Sequence, residues 1–473
     1  MPSWSGKLWV LRTTGPTWEG ITLRVKCSRR PPVAVRVGGG GLVSHSGSRL
    51  LAELAERSGL ETELSKVLAP MARRTRRHDP ARVLVDLAIT LAEGGECISD
   101  LAVLRQQPEL FGEVASTPTA WRILGSIEEA MLARLTSAVA RARARVWNWG
   151  LGPDRVTLDF DSTLVEAESE NKQRAAPNWK HGFGYHPLLV YLDQTGEALG
   201  GTLRPGNAGA NTAGDHVELL DQALAQLPRP TRQQDPERGL DVLVRSDSAG
   251  ASHGFVDAIA NRGLEFSVGF DITEAVREAI LKLPPESWVP AITKEMEDLE
   301  GAEVAEITSL LDLSRWPVGS RVLVRREEPH PGANYNLFDP HGLRHQALIT
   351  NSADPDLAYL EARHRLHARV EDQIKDAKDC GLANFPCRSF PANQAWLFLV
   401  QLAQNLLCWA KRLCLGSDFL LARPKRLRYQ VLHVAGRLVH SGRRTILRLD
   451  ARWPWARDLE LAFQSVRTLP ISP

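Results

Sequence analysis

Residues 156–163 read VTLDFDST, and the alternation in this stretch decides the fold. Val156, Leu158 and Phe160 fall on one side of an extended chain, with Asp159 and Asp161 on the other, as in a half-buried strand. Next, HPLLVYLDQTGEALGGTLRPG (186–206) reads as a hairpin, with Gln194-Thr195-Gly196 turning between Leu188–Leu192 and Ala198–Leu203. A helix from Gly214 to Leu227 leads to the strand LDVLVRSD (240–247), a helix from Gly254 to Asn261 and the strand LEFSVGF (264–270). The order β-β-β-α-β-α-β is that of an α/β layer architecture.

The flanking chain differs in character. Residues 271–320 carry eleven acidic and four basic side chains and are followed by strand-like RVLVRR (321–326) and RHQALITNS (344–352), which together read as a β-rich insertion. From Leu357 the pattern is helical again. Upstream, Leu50, Leu51, Leu54, Leu60, Leu64 and Val67 recur near a 3.6 period, with a second run at Val83–Leu91 and the arginine-rich ARRTRRHDPAR (72–82) between them. STPTAWRIL (116–124) starts a further helix, with Pro118 in its first turn and Arg122 exposed. Short helices with basic joints suit a DNA-binding region, and equally a solvated helical bundle with no partner.

These boundaries divide the chain into a mobile basic head (1–48), a helical region suited to DNA binding (49–150), a first part of the α/β core (151–270), an insertion subdomain (271–350), the core's completion (351–415) and a basic C-terminal region (416–473). The head carries seven basic residues against the single acid Glu19, and an upstream start codon is an alternative account of it.

At 473 residues, with 43% apolar and 24% charged side chains, the chain supports a packed core and is neither wholly disordered nor collagen-like. Its formal charge of +2 conceals segregation: net −7 over 271–320 against net +9 over 411–448. The six scattered cysteines (Cys27, Cys97, Cys380, Cys387, Cys408 and Cys414) form no C-x-x-C pair and read as reduced and cytosolic. No apolar run approaches membrane-spanning length and the N-terminus lacks a signal-peptide core, so neither a membrane nor a secreted protein is expected.

Three acids have surroundings that let them cooperate. Asp161 lies on the first strand and Asp247 just past the apolar run Val242–Val244, at a strand end where ligands bind in α/β sheets. Glu371, in HRLHARVEDQIKDAKD (364–379), shares a helix face with Ile374, Lys375 and Lys378 by i, i+3, i+4, i+7 spacing. Clustered carboxylates repel unless a divalent cation neutralises them, and oxygen donors favour Mg²⁺ or Mn²⁺, two ions being the arrangement suited to in-line phosphodiester chemistry. Each acid alone reads better as a helix cap or turn residue, and only the ordered set favours chemistry. Asp159 rivals Asp161, and Glu361 rivals Glu371.

The residues DFDST (159–163), VLVRSDS (242–248) and HRLHARVEDQIKDAK (364–378) resemble the DDE transposases of bacterial insertion sequences. The resemblance is to the group with the Y-x2-R-x3-E-x6-K signature, and within it to the family numbered thirteen-eighty. ECISDLAVLR (96–105), STPTAWRIL and RPGN (204–207) support it, and the match runs over roughly residues 48–470. Glu371 and Lys378 fall on E-x6-K, whereas His364 and His367 stand where the family has Tyr and Arg. The resemblance implies an RNase-H-like catalytic domain with a β-rich insertion before the Glu-bearing helix. It also implies Asp161, Asp247 and Glu371 as catalytic metal ligands, with Asp161 preferred over Asp159 because the D-x-T pattern fits it.

Further implications are metal-dependent nicking of double-stranded DNA at element ends, 3′-hydroxyl attack on a target, a homodimer in the synaptic complex, and a place on the bacterial nucleoid in the cytoplasm. Lys378, Lys375, Arg122 and Lys425 are the expected DNA contacts, Lys425 lying within the basic 411–448 stretch. Trp288 or Trp316 would either stack a flipped base or pack in the core. His181, His186 and His216 with Asp215 match no zinc spacing, and Gly206 and Gly209 suggest a tight turn. Two other classes fit the same residues: a catalytically inactive DNA-binding derivative, and a metal-dependent nuclease that cuts without joining.

Overall fold

A computed structural model describes residues 40–72, 77–209, 212–228, 241–329, 342–442 and 444–470. Most of the expected basic head, and Arg73, Arg74 and Arg76 of the arginine-rich joint, lie outside them. Strand β1 (Val156–Ser162) pairs antiparallel with β2 (Leu188–Leu192), which pairs antiparallel with β3 (Ala198–Thr202). The β2–β3 turn is made by Gly196, whose φ of 76° is a left-handed conformation open to glycine. On its other side β1 runs parallel to β4 (Val242–Ser246), and β4 parallel to β5 (Glu265–Phe270). Parallel neighbours need crossovers, and helices Ala213–Gln226 and His253–Asn261 supply them. The β-β-β-α-β-α-β reading therefore describes this half of the sheet.

The acidic segment forms no sheet of its own. Strands β6 (Val289–Ile292), β7 (Asp298–Glu306), β8 (Arg321–Glu327) and β9 (Arg344–Thr350) pair antiparallel in sequence, and β9 pairs with β5, completing one mixed sheet in the order β6-β7-β8-β9-β5-β4-β1-β2-β3. β5 would otherwise end the sheet with unpaired backbone groups. Arginines of the neighbouring strand answer part of the acidity, with Arg321 2.7 Å from Glu306 and Arg326 2.6 Å from Glu303.

Residues from 41 onward group into one compact unit. Helices Arg49–Arg57, Leu60–Ala72, Pro80–Ala92 and Glu129–Val146 pack together around a core that includes Leu51, Leu54, Leu64, Leu84 and Leu135. Helix Phe390–Leu413 runs between Pro80–Ala92 and β3, burying Trp396 and Trp409. Among the described residues no helix is long and apolar enough to cross a membrane.

One buried polar group joins the helical region to the sheet. Glu197, at the β2–β3 turn, accepts from Arg143 Nε (2.9 Å), Trp147 Nε1 (3.0 Å), Trp409 Nε1 (2.8 Å) and Thr195 Oγ1 (2.8 Å). Burial acts to raise its pKa, but Arg143 and these donors outweigh burial and hold it low.

Part of the expected head, residues 42–48, takes part in the fold. Leu42–Val43 pairs with Arg437 and Gly436 of a hairpin, Gly436–Ser441 against Arg444–Leu449, and Ser46 and Ser48 are buried. Helix Ala456–Thr468 then packs on Arg49–Arg57, so the two ends of the described chain meet. Cys97, Cys380, Cys387, Cys408 and Cys414 are free thiols.

Candidate functional site

Asp161 sits near the end of β1 opposite Leu189 of β2, partly buried, and its carboxylate accepts from the Ser162 backbone N–H at 2.6 Å. Asp247 follows β4 and caps the short turn Ser248–Gly250, accepting from Ala249 N–H at 3.1 Å. Packing fixes that turn: a carbon added at Gly269 of β5 would lie 2.6 Å from Ser248 N and 2.9 Å from the Asp247 carbonyl carbon. Glu371 occupies the first turn of helix Arg369–Ala377, which buries Val370, Ile374 and Ala377. Ile374 thus turns to the core while Glu371 and Lys375 face outward, 3.9 Å apart, with the Glu371 side chain 67% exposed. Lys378 opens the terminal turn Lys378–Leu382, within which Gly381 has a φ of 97°.

The charges of Asp247 and Glu371 both act on Asp161. Burial, and then the charge of Asp247, push the Asp161 carboxyl up to about 6, with Glu371 adding in the same direction and the Ser162 N–H and His367 opposing. Lys378 lies in the same field: burial and Lys180 lower its pKa, and Asp161 raises it. As placed, no three His, Cys, Asp or Glu side chains among the described residues are gathered closely enough to hold a metal ion. The donor chemistry, all carboxylate oxygen with one partly buried member in no ion pair among the described residues, fits a hard divalent cation that keeps part of its hydration.

The rivals stand elsewhere in the charge balance. Asp159 is buried and held by Arg245 through two 2.7 Å bonds. Glu361 is buried 3.3 Å from Arg365 and 3.8 Å from Arg325. Trp288 is buried under the Arg326 guanidinium at 4.0 Å, and Trp316 packs on His253 and Phe270 at 4.2 and 5.5 Å. His186 bonds Ser162 Oγ at 2.8 Å, His216 lies 5.0 Å from the Phe255 ring, and Asp215 pairs with Arg204 at 3.4 Å, so these groups have structural partners. At Gly206 an added carbon would meet the Ala176 carbonyl oxygen at 2.3 Å, which explains the tight turn.

Arg122 is exposed on helix Thr117–Leu124 and lines a cleft of about 640 Å³ with Arg77, Arg105 and Ser116. Lys425 lines a second cleft of about 640 Å³ with Arg428, Tyr429 and Trp453, and it pairs with Asp379 at 3.1 Å. None of the three carboxylates lines either cleft. Sequence reasoning overlooked Trp179, 69% exposed on the loop between Ala176–Pro177 and Phe183–Tyr185, with Lys180 over its ring at 4.7 Å. It also overlooked Arg245, whose only signal is its place two residues before Asp247, as Asp159 precedes Asp161.

The placement of Asp161 makes a stability prediction. Its folded pKa lies above the ordinary 3.8, so the folded chain holds the proton more tightly and stability falls as pH rises from about 4 to about 6. Asp161→Asn removes this buried charge and should stabilise the metal-free protein at pH 8 by roughly 2–3 kcal/mol at most. Thermal unfolding should show a higher Tm for the variant at pH 8 and no difference near pH 4; equal Tm values at pH 8 would contradict an Asp161 whose carboxyl is raised by its surroundings.

A family profile described as "Transposase DDE domain group 1" matches residues 25–471. The chain belongs to this DDE transposase family. Comparison with proteins of curated function finds no match. Among solved structures, the chain is similar to a "piggyBac transposase synaptic complex with hairpin DNA" determined by cryo-EM, at 11% identity and a TM-score of 0.39, covering 82% of this chain and 80% of that one. Family membership supports a transposase, and DDE transposases generally use divalent metal ions.

Proposed function

We propose that this DDE-family chain binds the inverted-repeat ends of an insertion sequence and carries out metal-dependent strand cleavage and 3′-hydroxyl strand transfer. The observation that carries the reading is Asp161: partly buried, in no ion pair among the described residues, and in the field of Asp247 and Glu371, while Asp159 on the same strand face is neutralised by Arg245. The order β3-β2-β1-β4-β5, antiparallel then parallel with helical crossovers, supports an RNase-H-like core. Membership of the thirteen-eighty group, action as a homodimer and residence on the nucleoid belong to the same proposal.

Asp161, Asp247 and Glu371 are the residues to hold Mg²⁺ or Mn²⁺, two ions in the full reading. Divalent cations held there would neutralise the acids' negative charge and would supply the alignment of the scissile phosphodiester. Water attacks phosphorus and releases a 3′-hydroxyl; that hydroxyl then attacks a target phosphodiester and displaces its 3′-oxygen. Lys378, in the Asp161 field, and Lys375, beside Glu371, are assigned to DNA phosphate. Arg122 and Lys425, on their basic clefts, are assigned to more distant duplex.

Incubation of a labelled element end with target DNA and Mg²⁺ should give both a nick and a covalently joined product. A nick alone would make the protein a nuclease, and neither product would make it an inactive binder. Binding should weaken steeply with salt, each neutralised phosphate contributing a log–log slope of about −0.9. Lys378→Ala should reduce that slope by about 1 in fluorescence anisotropy titrations. A salt-insensitive complex would remove the electrostatic part of the account.

A further inference from the structure

Beneath the carboxylates lies a second charged group with a different task. Asp159 and Arg245 are cross-strand partners in the parallel β1–β4 ladder, 0% and 1% exposed, and each precedes one of the acids Asp161 and Asp247 by two residues. In a strand, residues two apart share a face, so the pair sits directly along the strands from both acids. Arg245 Nε and Nη2 donate to Asp159 Oδ1 and Oδ2, both at 2.7 Å, and Nη2 is also 3.2 Å from Asp193.

The remaining bonds of this pair reach the helical run that leads into Glu371. Arg245 Nη1 donates to the Arg363 carbonyl oxygen at 2.6 Å, and His367 Nδ1 lies 3.0 Å from Asp159 Oδ1. His364 Nδ1 lies 3.0 Å from Ser267 Oγ on β5, and burial pushes that histidine down to about 3, so it is neutral. Arg369 reaches Asp193 at 3.3 Å. The helix is therefore fastened to the sheet within the eight residues before Glu371. The His367 side chain is only 12% exposed, which suits an internal bond better than a contact with DNA phosphate.

We propose that Asp159, Arg245 and His367 form a buried clamp that sets the position of Glu371 relative to Asp161 and Asp247, with His367 a positioning residue. The proposal rests on the three-carboxylate reading above. A rigid outer shell of this kind typically governs metal affinity or activity by about 10–100-fold. His367 matters most for a test, because its replacement leaves the Asp159–Arg245 pair intact.

The experiment compares His367→Ala, His367→Leu and His367→Asn in the full-length protein. Three quantities are read: the Mn²⁺ concentration that half-maximally raises Tm, DNA affinity by anisotropy, and cleavage rate at saturating DNA. His367→Ala should raise the half-saturating Mn²⁺ about tenfold and slow cleavage about 10–100-fold, with DNA affinity within about twofold. His367→Leu keeps buried volume without the ring N–H and should behave alike, so a folding defect confined to the alanine variant leaves the test intact. His367→Asn, which retains an N–H near Nδ1, should recover most of the loss. Weakened DNA binding with unchanged Mn²⁺ dependence would overturn the clamp in favour of a phosphate contact, and unchanged values throughout would overturn it outright. Glu371→Gln is the control: if it leaves Mn²⁺ dependence and cleavage unaltered, the three-carboxylate reading itself has failed, whatever the His367 variants do.

Discussion

Asp161→Asn, Asp247→Asn and Glu371→Gln should each lower metal-dependent DNA cleavage by about 10³-fold or more, with DNA affinity within about twofold of the parent chain. Each substitution removes one oxygen donor and one negative charge at nearly constant volume, so the local fold is kept. Asp247 caps its turn through Oδ1 to Ala249 N–H, a bond that Asn can also accept. Glu371 is largely exposed, and its nearest cation, Lys375, also pairs with Asp372 at 3.4 Å. Loss of cleavage without loss of folding is therefore expected, measured as single-turnover rates with Tm alongside. Because residues that act together are non-additive, the triple variant should be little slower than the worst single one. Asp159→Asn should differ from all three: it breaks a buried bidentate ion pair, and lower Tm should accompany any loss of rate.

Arg143→Ala should be the most destabilising single replacement in the link between the helical region and the sheet, costing about 3–5 kcal/mol. It leaves Glu197, 1% exposed, without its buried counter-ion, and Gln226 and the Ala198 carbonyl each lose a donor, at 2.5 and 3.0 Å. Glu197's folded pKa lies below its ordinary value, so its contribution is fully present above about pH 4.5 and is lost as pH falls through the folded value. The gap between parent and Arg143→Ala in urea unfolding should therefore be wide at pH 7 and narrow in acid. Replacing both members by apolar residues, Arg143→Met with Glu197→Leu, should recover much of the stability, since no charge is then left buried alone. A gap below about 1 kcal/mol at pH 7 would show that the network does not join the two regions.

Why some of this could be read along the chain and some could not follows from the range of the interactions. Alternation at Val156, Leu158 and Phe160 is local, and so are the apolar run before Asp247 and the helical period around Glu371; each element was visible from its own residues. Asp159 and Asp161 share one strand face and look alike locally. They are told apart by Arg245, 86 residues away from Asp159. RVLVRR and RHQALITNS, after the acidic segment, were visible as strands, whereas Val289–Ile292 and Asp298–Glu306 within it were not; joining to β5 depends on pairing Ser267–Phe270 with Ala347–Thr350, which no local pattern encodes. Glu197 reads as an ordinary hairpin acid until Arg143, Trp147 and Trp409 converge on it. Leu42–Val43 looked like part of a glycine-rich head because its hairpin partner lies almost 400 residues downstream, at Gly436 and Arg437.

The central claim is that Asp161, Asp247 and Glu371 serve one divalent-cation site. Fe²⁺ in place of Mg²⁺, with ascorbate and peroxide, generates radicals that cut the polypeptide near the ion, and the cut positions can be mapped by mass spectrometry. The account requires cuts clustered around residues 159–163, 245–249 and 369–373, suppressed by excess Mg²⁺ and absent in Asp161→Asn. Cuts elsewhere with these three segments intact, or the same cuts in Asp161→Asn, would contradict it.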